Sequence, residues 1–390
     1  MEQYIQNDII FLPPGETSVT ALFIDFGYIW AALSNGRVAI FSTETYQIVR
    51  TLDLLDTKRV KNAVSIIQPS DIRRSASSCA ENSDIFIVTE AGVIVVVDKL
   101  FYRPKREIHL FPAASDQRVT AVKVSARRVW VSSVALGLQD SASAISVVDP
   151  ATLRLVRSFT VPGEHVSDIA PTSATATAVA AAELSDGGGG SGSGEGLVWC
   201  ATKSGRLILV SADDGVVAEV SYHSPHKKSI TNLFISQGKL WYLSEGKVCV
   251  VPTDDPALVP KVLYPDPDGA VAVAQDVGEG GKGTAEAGKE EKQEALTCLA
   301  PAVVSWEAGS TVVDFVVGVG HGGVTRMWNA RDLGTEAVLK NDNVRLKTPM
   351  FLNTYYSAHT VSTTWCVANK ENGTLHVYTL KKEGDALVTK

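Results

Sequence analysis

The chain has little cysteine, five residues among 390, at Cys79, Cys200, Cys249, Cys298 and Cys366. Their number is odd and no two lie close together, which excludes a disulfide framework and the paired spacing of a zinc site. What remains is cysteine used as a small apolar residue in a reducing compartment, so a cytoplasmic location is expected. Long apolar runs are missing too. None reaches the roughly 18–20 residues of a membrane span. The opening Met1-Glu2-Gln3-Tyr4 has no basic stretch leading into an apolar core, and no secretory leader is expected. Positive charge is in deficit: the net charge of −7 argues against a general nucleic-acid binder. Helical period is absent as well, since no segment repeats its apolar residues every three to four positions.

What is present is a repeat. Gly27-Tyr28-Ile29-Trp30-Ala31-Ala32-Leu33-Ser34-Asn35-Gly36 leads into Arg37-Val38-Ala39-Ile40-Phe41: an aromatic in an apolar strand, a polar turn with glycine, and an alternating strand. The unit recurs around Phe86, Trp130, Trp199, Trp241, Phe315 and Trp365. That makes seven copies, with five of the seven tryptophans of the chain at the same position of the unit. A short apolar run precedes many copies (Val19–Ile24, Ala63–Ile67, Val119–Val124, Ile230–Ile235). A polar turn and a further strand follow, as at Gln47–Leu52 and Arg154–Phe159. Four short strands per unit, punctuated by Gly, Asp, Asn and Pro, form an antiparallel meander.

One such meander cannot bury both of its faces, but a ring of them can. Burying one large ring side chain is worth roughly 1.5–3 kcal/mol, so seven at a fixed position supply the packing between neighbouring sheets. The expected fold is all-β, a seven-bladed β-propeller filling residues 1–390 as a single domain. Closure has two candidates for the last strand: Tyr4–Leu12 from the N-terminus, or Ala386–Thr389 from the C-terminus. A closure that mixes the two ends is favoured. Three insertions interrupt the units, at 71–82, at 185–196 (a Gly/Ser tract) and at 266–294, and all three are expected to be flexible loops.

The residues resemble the WD-repeat propellers in a divergent form, over the whole chain. Trp328-Asn329 stands where that family closes a strand with Trp-Asp, and Asp98 and Asp149 occupy the Asp position after valine. Gly373-Thr374-Leu375-His376-Val377-Tyr378 is similar to its glycine turn and third strand, and Gly163-Glu164-His165 to its Gly-His start. No unit carries both the Gly-His and the Trp-Asp elements. A narrower likeness is to the atypical propellers of signalling and trafficking proteins: leucine-rich-repeat kinases, Rho exchange factors and kinase scaffolds. That resemblance implies a docking module for proteins or peptides, one part of a larger assembly.

Chemistry-bearing motifs are sparse. His223-x-x-His226 lacks a third ligand in reach, Asp266-Pro267-Asp268-Gly269 lacks the later ligands of a calcium loop, and Gly318–Gly323 joins two strands rather than opening a helix. No Gly-x-Ser-x-Gly elbow occurs. No metal and no cofactor are expected, and the chain is read as non-catalytic. Basic residues are the better candidates. In a propeller the turns between second and third strands share a face with the blade connections. Arg118, Lys203, Arg206, Lys227 and Lys228 then fall on one rim, where they could receive an acidic peptide or an anionic head group. A solvated mixed-charge surface is the alternative there. Lys58, Arg59, Lys61, Arg103, Lys105 and Arg106 form a second patch, in a stretch from Thr51 to Trp130 where thirteen Lys/Arg face nine Asp/Glu.

Three functional readings follow. The first is a non-catalytic scaffold docking protein partners, acidic ones above all, on one face. The second is an enzyme or small-ligand propeller using the central channel. A minor third is recruitment to a membrane surface through the second basic patch. Oligomeric state is not legible.

Overall fold

In the computed structural model the described residues are 3–13, 18–25, 27–54, 62–69, 84–112, 115–125, 128–136, 142–161, 164–172, 197–211, 222–223, 228–253, 260–264, 295–305, 312–321, 324–339, 349–357, 362–369 and 373–382. Among them are seven four-stranded antiparallel sheets and no α-helix. The N-terminal strand is β1 (Gln3–Phe11). Blade 1 holds β2 (Val19–Asp25), β3 (Tyr28–Leu33), β4 (Arg37–Ser42) and β5 (Ile48–Asp53). Blade 2 holds β6 (Ala63–Ile67), β7 (Ile85–Thr89), β8 (Val93–Asp98) and β9 (Arg103–His109). Blade 3 holds β10 (Gln117–Ser125), β11 (Arg128–Ala135), β12 (Ser143–Asp149) and β13 (Arg154–Val161). Blade 4 holds β14 (Val166–Pro171), β15 (Leu197–Thr202), β16 (Arg206–Ser211) and β17 (Tyr222–His223). Blade 5 holds β18 (Ile230–Ser236), β19 (Lys239–Ser244), β20 (Lys247–Pro252) and β21 (Lys261–Tyr264). Blade 6 holds β22 (Leu296–Ser305), β23 (Val312–Gly320), β24 (Thr325–Asn329) and β25 (Thr335–Leu339). Blade 7 holds β26 (Pro349–Ser357), β27 (Ser362–Asn369) and β28 (Thr374–Lys382). The architecture is the seven-bladed β-propeller that the repeat implies.

Blade 7 is completed from the other end of the chain. Strand β1 pairs antiparallel with β28 over nine positions, from Gln3 opposite Lys382 to Phe11 opposite Thr374. The alternation of the strand shows what anchors it. Ile10 and Leu12 are buried and pack with Val19, Leu22 and Phe41 of blade 1 and Leu375 and Val377 of blade 7, whereas Phe11 faces solvent. Of the two closing candidates the N-terminal one holds the place; Ala386–Thr389 lies outside the described residues, as do the insertions at 71–82, 185–196 and 266–294.

The seven aromatics all stand on second strands and are buried. Six face forward. Trp30 packs with Ile85, Ile87 and Val95 of blade 2, Phe86 with Val129 and Val131 of blade 3, and Trp130 with Val198 and Cys200 of blade 4. Trp199 meets Tyr242 and Cys249 of blade 5, Trp241 meets Val316 and Trp328 of blade 6, and Phe315 meets Val367 and Tyr378 of blade 7. Trp365 departs from the common position. It faces back to blade 6, with Phe315 and Met327, and stacks on Tyr378 at a ring separation of 5.6 Å. Its neighbour Cys366 takes the forward face, against Ile29 and Phe41. The cause is a one-residue offset. Trp30, Phe86, Trp199 and Trp241 stand three residues before the strand ends Leu33, Thr89, Thr202 and Ser244, while Trp365 stands four before Asn369. A strand has period two, so one residue exchanges the faces.

Each inner strand also shifts register once, near its start: at Val19/Ala21, Ala63/Ser65, Val119/Ala121, Val166/Asp168, Thr231/Phe234, Leu296/Cys298 and Met350/Leu352. A bulge releases a residue from the ladder and re-aims it. Ser167 and Thr297 use that freedom to donate to the first carbonyl of the next blade's inner strand, Ile230 at 2.6 Å and Pro349 at 2.9 Å.

Candidate interaction surface

Turns between second and third strands lie on the upper face of the ring, together with the connections between blades. Their glycine is a conformational requirement: Gly36, Gly92, Gly205, Gly246 and Gly373 all have φ between 61° and 85°, where a side chain is strained. Thr89 and Thr202 close two of these turns by accepting the amide protons of Val93 and Arg206 on Oγ1, at 3.0 and 2.9 Å.

Charged side chains then link neighbouring upper loops. Arg118, at the start of the inner strand of blade 3, meets Glu90 of the blade 2 turn at 2.5 Å. Arg206 of blade 4 meets Glu164 of the connection from blade 3 at 2.5 Å, and Ser204 donates to the same carboxylate at 3.0 Å. Lys228 meets Glu245 of the blade 5 turn at 2.6 Å. Thus Arg118, Arg206 and Lys228 do lie on the upper face, but as members of ion pairs. Lys203 is exposed beside them; its amide donates to the His165 carbonyl at 3.0 Å. Burial, and then the Lys203 ammonium, push the His165 imidazole below its ordinary value. Lys227 lies outside the described residues. Glu90, Glu164 and Glu245 complete the rim. The turn sequences Glu90-Ala91-Gly92 and Glu245-Gly246 were the signal for two of them.

The second basic patch lies elsewhere. Lys58, Arg59 and Lys61 are outside the described residues, and Arg103, Lys105 and Arg106 stand exposed on the outer strand β9, on the side of the ring. Lys105 is held between Asp84 at 2.7 Å and Asp98 at 2.9 Å, which raises its pKa and, with the turn amides, lowers that of Asp98.

Two further clusters carry buried charge. Asp25, at the lower end of β2, is 1% exposed and receives the Lys99 ammonium of blade 2 at 2.6 Å. Burial holds this carboxyl above its ordinary range, against the opposing pull of Lys99. Tyr102 closes over the cluster, edge-on to Tyr28 at 5.8 Å and tilted on Trp30 at 5.9 Å. Toward the channel, Asp168 of blade 4 meets Lys123 of blade 3 at 3.3 Å and accepts the Leu233 amide of blade 5 at 2.8 Å. It also accepts the Ile169 amide at 2.9 Å. A carboxylate so occupied is an inter-blade tie, not a free base.

The described thiols are equally unsuited to chemistry. Cys200, Cys249, Cys298 and Cys366 are free and buried, and burial pushes Cys249 up to about 11 and Cys298 up to about 12. They are protonated at neutral pH and serve as packing. No group of three His, Cys, Asp or Glu able to hold a metal occurs among the described residues. His223 ends β17 and His226 lies outside the described residues. Within the glycine-rich Gly318–Gly323, Gly318 has a packing reason: a Cβ there would come within 2.9 Å of the Trp328 ring. No helix among the described residues is long and apolar enough to cross a membrane.

No family model matches the chain, and neither does any curated protein. Among solved structures it is similar to the crystal structure of the RRP9 WD40 repeats, with 97% of this chain and 100% of that one covered, a TM-score of 0.59 and 11% identity. At that identity the likeness is one of fold.

Proposed function

We propose that this propeller is a non-catalytic docking platform that receives protein or peptide segments on its upper face. The observation that carries the reading is the linked rim. Arg118–Glu90 ties the start of blade 3 to the blade 2 turn, and Arg206–Glu164 and Lys228–Glu245 tie the turns of blades 4 and 5 to the connections that enter those blades. A surface already ordered loses little entropy on binding. The Arg118–Glu90 and Lys228–Glu245 pairs reach the surface, where an ion pair contributes at most about 1 kcal/mol, so a partner's carboxylates can compete for those two cations. Lys203 offers a further cation beside them. Acidic segments are the fitting partners, and buried free thiols accord with a cytoplasmic setting.

The test is affinity capture from a lysate of the source cell with the folded wild-type chain and with a Lys203→Glu, Lys228→Glu variant. Both positions are exposed, so the melts are expected to coincide. Partners recovered by the wild type and lost by the variant support the reading. Identical partners from both chains would move docking off the upper rim.

A further inference from the structure

The turn between third and fourth strands has one construction in four blades. Its first residue caps it: Ser42 Oγ accepts the amides of Glu44 and Thr45, Asp98 Oδ1 those of Leu100 and Phe101, Asp149 Oδ1 those of Ala151 and Thr152, and Asn329 Oδ1 that of Arg331. Its last residue, Tyr46, Tyr102, Leu153 or Leu333, has φ between 50° and 67°. The two tip residues between them are Glu44-Thr45, Ala151-Thr152 and Arg331-Asp332 in blades 1, 3 and 6. In blade 2 they are Leu100 and Phe101, 71% and 66% exposed. Both flanks of this tip are anchored inward, Lys99 on Asp25 and Tyr102 on Trp30 and Tyr28. Two large apolar side chains are therefore held out in water by a rigid turn.

Their surroundings are of the same kind. Ile48 and Val49 on β5 and Leu155 and Val156 on β13 are 44% to 51% exposed, where the outer strands of the two flanking blades begin. Arginine recurs beside them. Arg50, Arg106 and Arg157 occupy one structural position on three successive blades, opposite Ile40, Val96 and Val147 of the third strands. Across β5, β9 and β13 six Lys/Arg stand against two Asp/Glu. In the outer strands of the other four blades, β17, β21, β25 and β1, one Lys stands against two acids. On a chain of net charge −7 this wall is an exception in sign.

We infer that the outer wall of blades 1 to 3 docks edge-on to an anionic lipid bilayer, with Leu100 and Phe101 entering the interface and the arginines resting on head groups. Interspersed aliphatic and cationic residues on outer strand edges suit a deformable anionic surface. The inference does not depend on the docking reading of the upper face.

The test is co-sedimentation of the full chain with phosphatidylserine-containing vesicles and with pure phosphatidylcholine vesicles. Binding is expected only to the former, weakening as salt rises. A Leu100→Ser, Phe101→Ser variant and an Arg50→Glu, Arg106→Glu, Arg157→Glu variant should each lose about tenfold or more in partitioning. A second readout does not rely on loss. Leu100→Cys, labelled with an environment-sensitive dye in a Cys79→Ser background, should shift its emission to the blue on anionic vesicles. Failure of the folded wild type to bind such vesicles would overturn the inference. So would variants that bind undiminished, an unshifted dye, or binding to polyglutamate but not to vesicles, which would make the wall a surface for acidic proteins.

Discussion

Ring closure by β1 can be tested with two adjacent residues. Ile10 is 3% exposed and Phe11 is 76% exposed, although they are neighbours on the same strand. Ile10 opposes Leu375 and packs between blades 7 and 1; Phe11 opposes Thr374 and points outward. Truncating a buried isoleucine to alanine costs about 2–5 kcal/mol, including the cavity left behind. Truncating an exposed phenylalanine costs within about 0.5 kcal/mol. Ile10→Ala should therefore lower the urea midpoint, followed by tryptophan fluorescence, far more than Phe11→Ala. Removing residues 1–12 should do worse. It loses the burial of Ile10 and Leu12, about 3–6 kcal/mol together, and bares the edge of β28, which invites aggregation. Against a usual stability of about 5–15 kcal/mol, such a chain is at the margin of folding. Equal midpoints for the two alanine variants, or a truncated chain as stable as the whole, would refute closure by β1.

Three other outcomes are expected. Burial pushes the His376 imidazole down to about 4, and its Nδ1 has no protein partner, so the unfolded chain takes up the proton first. Stability should be intact above the ordinary value near 6.5 and fall as pH drops toward 4, a slope that a His376→Gln variant should lack in parallel denaturation curves. The Asp25 carboxyl is raised above its ordinary range, so its contribution declines as pH rises from about 3.8 through its folded pKa. Lys99→Met, which strips its cation, should destabilise by a few kcal/mol, more at pH 8 than at pH 4, and a pH-independent loss in melting experiments would contradict this. At Gly92 a Cβ would meet the Phe111 ring at 2.3 Å at a φ of +77°. Gly27→Ala, with nothing within 4 Å at φ +86°, should cost the backbone strain alone, about 1–3 kcal/mol, and Gly92→Ala should lower the urea midpoint further because the clash adds to the strain; equal midpoints would contradict this.

The seven units, their four-strand plan and their buried aromatics were legible because apolar alternation and glycine turns repeat at close intervals. Closure was legible only as a pair of candidates, since Tyr4–Leu12 and Ala386–Thr389 both read as strands and pairing is a long-range choice. The reversal of Trp365 was hidden in a one-residue offset, which sequence similarity to the other units disguises. Arg118, Lys203, Arg206 and Lys228 could be assigned to one face by topology, because the turns between second and third strands share a face with the blade connections; Lys227 lies outside the described residues. The carboxylate partners of Arg118, Arg206 and Lys228, separated by 17 to 42 positions in sequence, were not legible. The same holds for Asp25 with Lys99 and for Asp168 between Lys123 and Leu233: each joins different blades, and no local pattern records it.

The measurement that bears most directly on the docking platform is site-specific photo-cross-linking, with a photoreactive residue placed at Lys203 on the upper face and, in a second chain, at Glu44 on the lower face of blade 1. Both sites are exposed, so both chains should fold alike and react equally well with solvent. Discrete cross-linked proteins from position 203 and none in common from position 44 are the expected result. The same proteins from both positions, or discrete products from position 44 alone, would contradict an upper docking face.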